Sequence, residues 1–113
     1  MISISTHILD IAQGLPARDV PVRLERRDAS GVWQPLGAAR TDQDGRAQLL
    51  YEKEALAPGF YRLGFETATH FAACKLDGLY PSIEITFHVR DGEERFHIPL
   101  LLSPNGYTTY RGS

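Results

Sequence analysis

The residues of this chain best suited to chemistry are its four histidines, His7, His70, His88 and His97, and its single cysteine, Cys74. Histidine exchanges a proton near neutral pH, so two of them on facing strands can divide the roles of general base and general acid. Ile2, Ile4 and Ile8 alternate with Ser3, Ser5 and His7. That pattern sets His7 opposite the isoleucine face and points it outward. His97 likewise lies opposite Phe96, Ile98 and Leu100, sharing its face with Pro99 and Leu101. A two-residue hairpin turn at Asp91-Gly92 would put Thr86 across from His97 and His88 diagonal to it. His70 falls in a helical segment and reads as a partly exposed surface residue. Cys74 falls on an apolar helical stripe and reads as inert packing.

Other chemistries lack their spacing. No His-x-x-x-His, Cys-x-x-Cys or His-x-Glu cluster is present, so no metal site is expected. No Gly-x-Ser-x-Gly elbow and no phosphate-binding glycine loop occurs, and Ser103-Pro-Asn-Gly reads as a turn. Arg46, taken alone, reads as a surface charge flanking the turn Asp42-Gln-Asp-Gly45. The formal net charge of -2, with no basic patch or stripe, argues against a nucleic-acid or membrane-surface partner. No run approaches the roughly 18 apolar residues of a membrane span. Met1-Ile-Ser-Ile-Ser-Thr-His7 has neither a basic nor a long apolar leader region. One cysteine forms no internal disulfide, and the expected compartment is the cytoplasm.

The elements that must position these residues are mostly strands. The length of 113 residues suits one domain, 1–113, with a core of its own. Period-2 alternation recurs through Val20–Leu24, Val32–Ala38, Ala47–Tyr51, Tyr61–Phe65, Ile83–Val89 and Phe96–Leu102, with a last strand over about Tyr107–Arg111. About eight short strands at this spacing predict an all-β sandwich or barrel. Thr67–Asp77 is the exception: Thr67 or Thr69 can cap a short helix, Phe71, Cys74 and Leu76 lie near one stripe, and Gly78 can stop it. Glu52, Lys53 and Glu54 read as a solvated loop. Pro99 and Leu101 make an outward face apolar, beside Thr86, Thr108 and Tyr110, and such surface usually marks an interface.

Three motifs carry a resemblance. The ending Phe96-His-Ile-Pro-Leu-Leu-Leu-Ser-Pro-Asn-Gly-Tyr-Thr-Thr-Tyr-Arg-Gly-Ser113 resembles the hallmark terminus of the 5-hydroxyisourate hydrolases, the transthyretin-like enzymes of purine catabolism. Ser5-Thr-His-Ile-Leu-Asp10 with Gly14-Leu-Pro-Ala17 and Val20-Pro-Val22 is similar to the family's opening motif, and Thr41-Asp-Gln-Asp-Gly-Arg46 to its central one. Asn105 departs from the aromatic residue that family members often carry there. The resemblance implies a transthyretin-like sandwich of two four-stranded sheets with one short helix. It implies a homotetramer, a dimer of dimers, with active sites in the channel between dimers. The implied reaction is hydrolysis of 5-hydroxyisourate to 2-oxo-4-hydroxy-4-carboxy-5-ureidoimidazoline, without organic cofactor or metal. Carried over by motif, the catalytic residues are His7, Arg46, His97 and Ser113, whose hydroxyl and terminal carboxylate can hold a water or a histidine. Tyr110 and Arg111 join His7 and Arg46 as substrate contacts. A transthyretin-type carrier of a small aromatic ligand is the rival from another class; it would not need His7, Arg46, His97 and the Tyr-Arg-Gly-Ser ending together.

Overall fold

Alternation decides the first strand, β1 (Ile2–Asp10): Ile4, Thr6, Ile8 and Asp10 are buried, while Ser3, Ser5, His7 and Leu9 line the other face. Thr6 is polar yet inward, and its hydroxyl donates to the Ile98 carbonyl at 2.6 Å. The computed structural model describes residues 2–52 and 57–113, so Lys53 and Glu54 of the expected solvated loop lie outside the described residues. After β1 come β2 (Leu15–Pro16), β3 (Pro21–Arg27), β4 (Trp33–Arg40), β5 (Arg46–Glu52) and β6 (Gly59–Phe65). Helix α1 (Thr67–Ala73) follows, then β7 (Ile83–Val89), β8 (Arg95–Ser103) and β9 (Gly106–Thr109).

Two sheets pack face to face, as the sandwich reading expects. One runs β4-β3-β6-β7. The other runs β2-β1-β8-β9, with β5 also paired to β1. Because β5 takes Ile2–His7 and β2 takes Leu9–Asp10, the two share one flank of β1, and this sheet is also four strands wide. Ile4, Ile8, Leu24, Leu63, Phe65, Leu100 and Leu102 fill the space between the sheets with essentially no exposure. Each such side chain contributes about 1.5–3 kcal/mol by leaving water, so Leu24→Ala should cost about 2–5 kcal/mol. No helix of the described residues is long and apolar enough to cross a membrane.

Three expectations are corrected here. The segment around Asp91-Gly92 is no hairpin: β7 is an edge strand of one sheet and β8 an inner strand of the other. Period 2 fixes which residues share a face but not which strand lies alongside, and the turn residues between Val89 and Arg95 carry the chain across the sandwich. His88 therefore stacks on Phe60 at 4.8 Å between ring centroids, in the sheet opposite His97. The helix ends at Ala73, without a side-chain cap, and buries Thr67, His70 and Phe71; Leu76 is left exposed. Pro99 is buried within the chain and Leu101 half-buried, because the backbone beyond β9 runs on beside β8 and bridges Gly112 to His97. The outward apolar face is smaller than its sequence suggests.

Candidate active site

One turn positions two of the expected residues. The Asp42 carboxylate accepts hydrogen bonds from the Asp44 and Arg46 backbone N–H groups, at 2.9 and 3.0 Å. Gly45 closes the turn with a φ of +76°, and a Cβ there would run into the Ile8 carbonyl, so glycine is required. Arg46 then begins β5 directly across from His7. A bulge between Ile4 and Ser5 keeps Gln48 opposite Ser5 in the same ladder. The same turn also fixes the His7 ring, whose Nε2–H donates to the Asp44 carbonyl at 2.8 Å. A carbonyl only accepts, so Nε2 carries the proton and Nδ1 is the basic nitrogen of the neutral ring.

His97 arrives from the other flank. β8 runs parallel to β1 with Ser5 beside His97 and His7 beside Pro99. The Ser5 hydroxyl shares a 2.9 Å hydrogen bond with His97 Nδ1, which leaves Nε2 as the ring nitrogen without a partner among the described residues. Two adjoining hollows meet here. One, of about 310 Å³, is lined by Ser5, Asp42, Arg46, Gln48 and His97 among others; the second, of about 250 Å³, by Ser3, Ser5, Arg46, His97, Gly112 and Ser113 among others. Ser5, Arg46 and His97 belong to both. The Arg46 guanidinium forms no ion pair among the described residues. Burial first, then the positive charge of Arg46 and repulsion from His7 whenever that ring takes up a second proton, hold the His97 imidazole below its ordinary value of 6.5. At neutral pH it is an uncharged base beside a fixed cation.

The backbone N–H of Gly112 donates to the His97 carbonyl at 2.7 Å, which draws Ser113 to the rim of the second hollow. A Cβ on Gly112 would stand 2.7 Å from His97 Cδ2 and 3.3 Å from Pro99 Cγ, so the imidazole leans into space that only glycine leaves open. The described residues thus bring His97 and Arg46 onto both hollows and Ser113 onto the second, while His7, across from Arg46 in the ladder, lines neither. A model of the HIUase/Transthyretin family matches residues 4–112, a span that takes in His7, Arg46 and His97 together.

The chain belongs to the HIUase/Transthyretin family. It is 47% identical over 110 residues to the 5-hydroxyisourate hydrolase of Salmonella dublin, covering 97% of this chain and 80% of that one. Among solved structures, Klebsiella pneumoniae 5-hydroxyisourate hydrolase superposes with a TM-score of 0.82 at 37% identity, over 98% of this chain and 99% of that one. Sea bream transthyretin in complex with thyroxine superposes with a TM-score of 0.89 at 27% identity, over 96% and 93%.

Within this HIUase/Transthyretin chain, Tyr110 and Arg111 lie apart from the His97 hollows. They line a cleft of about 210 Å³ with Ile85, Phe87, His88 and Phe96. Arg111 donates to Glu93 at 2.8 Å and to the Arg95 carbonyl at 3.0 Å, and its guanidinium sits 4.5 Å from the Phe96 ring centre. That guanidinium holds the Glu93 carboxyl below the usual carboxylate range. Alternation explains the placement of Arg111: Gly112 shares the His97 face, so Arg111 turns to the opposite one. Sequence reasoning did not single out the contacts of Ser5 and Gly112 with His97, although both residues lie inside the family motifs. His70 is also not a surface residue; it is 8% exposed and bonded to Asp10.

Proposed function

We propose that this chain is a 5-hydroxyisourate hydrolase, opening the ring of 5-hydroxyisourate to 2-oxo-4-hydroxy-4-carboxy-5-ureidoimidazoline in urate degradation. The observation that carries this reading is the convergence, on shared hollows, of an uncharged His97 imidazole and an Arg46 guanidinium that has no ion-pair partner among the described residues. In the reaction, water adds to the cyclic acyl carbon while a base takes its proton. The carbonyl oxygen becomes an oxyanion beside a permanent cation, the carbon–nitrogen bond breaks, and the leaving nitrogen is protonated. Both His97, through Nε2, and His7, through Nδ1, present a basic nitrogen, so the pair can supply base and acid in turn. Arg46 offers a planar charged fork to an anionic, oxygen-rich substrate and to the developing oxyanion. Ser113 holds the attacking water at the rim. Tyr110 and Arg111 act by seating the tail, with Arg111 anchored to Glu93. These steps need no cofactor.

The working form in this reading is a homotetramer, a dimer of dimers, whose sites face the channel between dimers. Half-buried Leu101 on the His97 face, exposed Leu15 and Tyr107, and the open edges of β7 and β9 support that assembly. The cytoplasm is the proposed compartment, in keeping with the free thiol of Cys74. A carrier reading gains nothing from the fold, since the thyroxine-bound transthyretin superposes as well as the hydrolase does. The histidine and arginine around the hollows favour the enzyme.

Absorbance decay of freshly made 5-hydroxyisourate tests the reading. Catalytic amounts of protein should accelerate decay far above the spontaneous rate, and His97→Ala or Arg46→Ala should each remove about 10²-fold or more of the gain. Decay at the spontaneous rate with micromolar protein would overturn it. In sedimentation, Leu101→Glu should dissociate the assembly and lower activity together; a stable, fully active monomer would refute the tetramer.

A further inference from the structure

At the end of β1, on the opposite face of that strand from His7, three donor atoms converge. Asp10 is 1% exposed and its Oδ2 lies 2.7 Å from His70 Nε2. Cys74, one helical turn after His70, brings its Sγ to 3.8 Å from the same Nε2. All three donor atoms lie within 4.8 Å of one another. Gln13, in the turn after β1, donates from its amide to Asp10 Oδ2 at 2.9 Å and to Cys74 Sγ at 3.1 Å. Asp10 also fixes this turn by accepting the backbone N–H groups of Ala12 and Gln13, each at 3.0 Å.

We propose that Asp10, His70 and Cys74 form a binding site for a zinc-class divalent cation, tying the turn after β1 to α1. Carboxylate, imidazole and thiolate are the donors such ions take, with the soft sulfur selecting zinc over magnesium or calcium. A tetrahedral ion with these ligands needs donor atoms about 3.3–3.6 Å apart. Nε2 and Sγ stand 3.8 Å apart, close to that separation. Oδ2, 2.7 Å from Nε2, has to back out by about half an ångström. Sγ and Oδ2, within 4.8 Å of each other, settle to the same spacing around the ion. Binding forms one bond to each of the three ligands and breaks the S–H bond of Cys74. The thiol supplies one proton to solvent, and the neutral His70 ring frees Nε2 by carrying its single proton on Nδ1, so no second proton leaves. A structural ion pair accounts for Asp10 and His70 but needs no thiol turned to the same nitrogen. Cys74 is half-buried, which leaves an ion a way in, and a water completes the fourth position. None of the three residues lines the His97 hollows, so the site is separate from the hydrolytic one.

Cobalt(II) reports the site directly, because Cys74 is the chain's single cysteine and any thiolate-to-metal band must come from it. Titration with Co²⁺ should raise a near-ultraviolet charge-transfer band that saturates at one equivalent per chain and is lost on adding Zn²⁺. Cys74→Ser should abolish the band, lower Zn²⁺ affinity by about tenfold or more, and remove the Zn²⁺-dependent rise in Tm, about 4 °C or more in the parent. His70→Gln should weaken Co²⁺ binding by a similar factor. Absence of the band, or unchanged Zn²⁺ affinity in Cys74→Ser, would overturn the proposal. So would a band insensitive to His70→Gln, which would mark a thiol bridging two chains. Should His70→Gln fail to fold, the half-buried Cys74→Ser exchange still decides the matter.

Discussion

The Ser5 hydroxyl lies 2.9 Å from His97 Nδ1, joining residues 92 positions apart in the chain. A hydroxyl in this place occupies one ring nitrogen and aims the other at the hollow that Arg46 lines. Ser5→Ala should therefore lower kcat by about tenfold or more, with KM and Tm little changed. Ser5→Thr should restore most of the loss. Full turnover in Ser5→Ala, measured on fresh substrate, would show that the imidazole is oriented by something else.

The pH profile follows from the environment of His97. Burial and the nearby positive charges lower its pKa below 6.5, so its basic form persists into mildly acidic solution. The acid limb of kcat/KM should lie below 6.5. Arg46→Gln removes a repelling charge and should move the His97 ring titration, followed by NMR, upward. Stability obeys the same shift. Between the folded value and 6.5 the unfolded chain binds more protons, so the contribution of this group falls as the pH is lowered through that window. A His97 resonance titrating at or above 6.5 in the parent chain would contradict all three expectations.

Gly112→Ala isolates the contact between tail and imidazole. Its Cβ would come 2.7 Å from His97 Cδ2, so the ring has to swing aside while the strand ladder stays in place. Turnover should drop by about tenfold or more with Tm nearly constant. A drop in Tm with kcat preserved would instead mark Gly112 as a purely structural residue.

Thr41 tests the support beneath the Arg46 turn. Its buried hydroxyl donates to the Ala17 carbonyl at 2.7 Å and accepts the Val20 N–H at 2.9 Å. Thr41→Val leaves both backbone groups unpaired in the interior and should cost about 2–4 kcal/mol in urea unfolding, whereas Thr41→Ser should retain most of it. A loss below about 0.5 kcal/mol would mean that the turn finds other partners.

What could be read from the sequence was what neighbours in the chain determine. The inward set Ile4, Ile8, Leu100 and Leu102, the turn ahead of Arg46 and the outward bearing of His7 and His97 all follow from spacing of a few residues. The parallel pairing of β1 with β8 does not, and with it went the Ser5–His97 bond. His88 was misplaced for the same reason: alternation assigned its face, while the sheet it joined was settled by the packing of distant strands. His70 looked exposed because its partner, Asp10, lies 60 positions away. Ligand spacing along the chain likewise could not bring Asp10 beside His70 and Cys74, because that grouping is made by a donor from another element.

The parallel contact between β1 and β8 also orders events in time. Residues 3–10 meet their partners only once residues 95–102 are present, so most of the chain has to be synthesised before Ile4 and Ile8 can be covered on that flank. Closing so long a loop places the domain among slowly folding, non-local topologies, on the order of milliseconds to seconds. Until then β1 exposes an apolar, β-prone edge of the kind that pairs with other chains, and a cell making this protein quickly has reason to shield it.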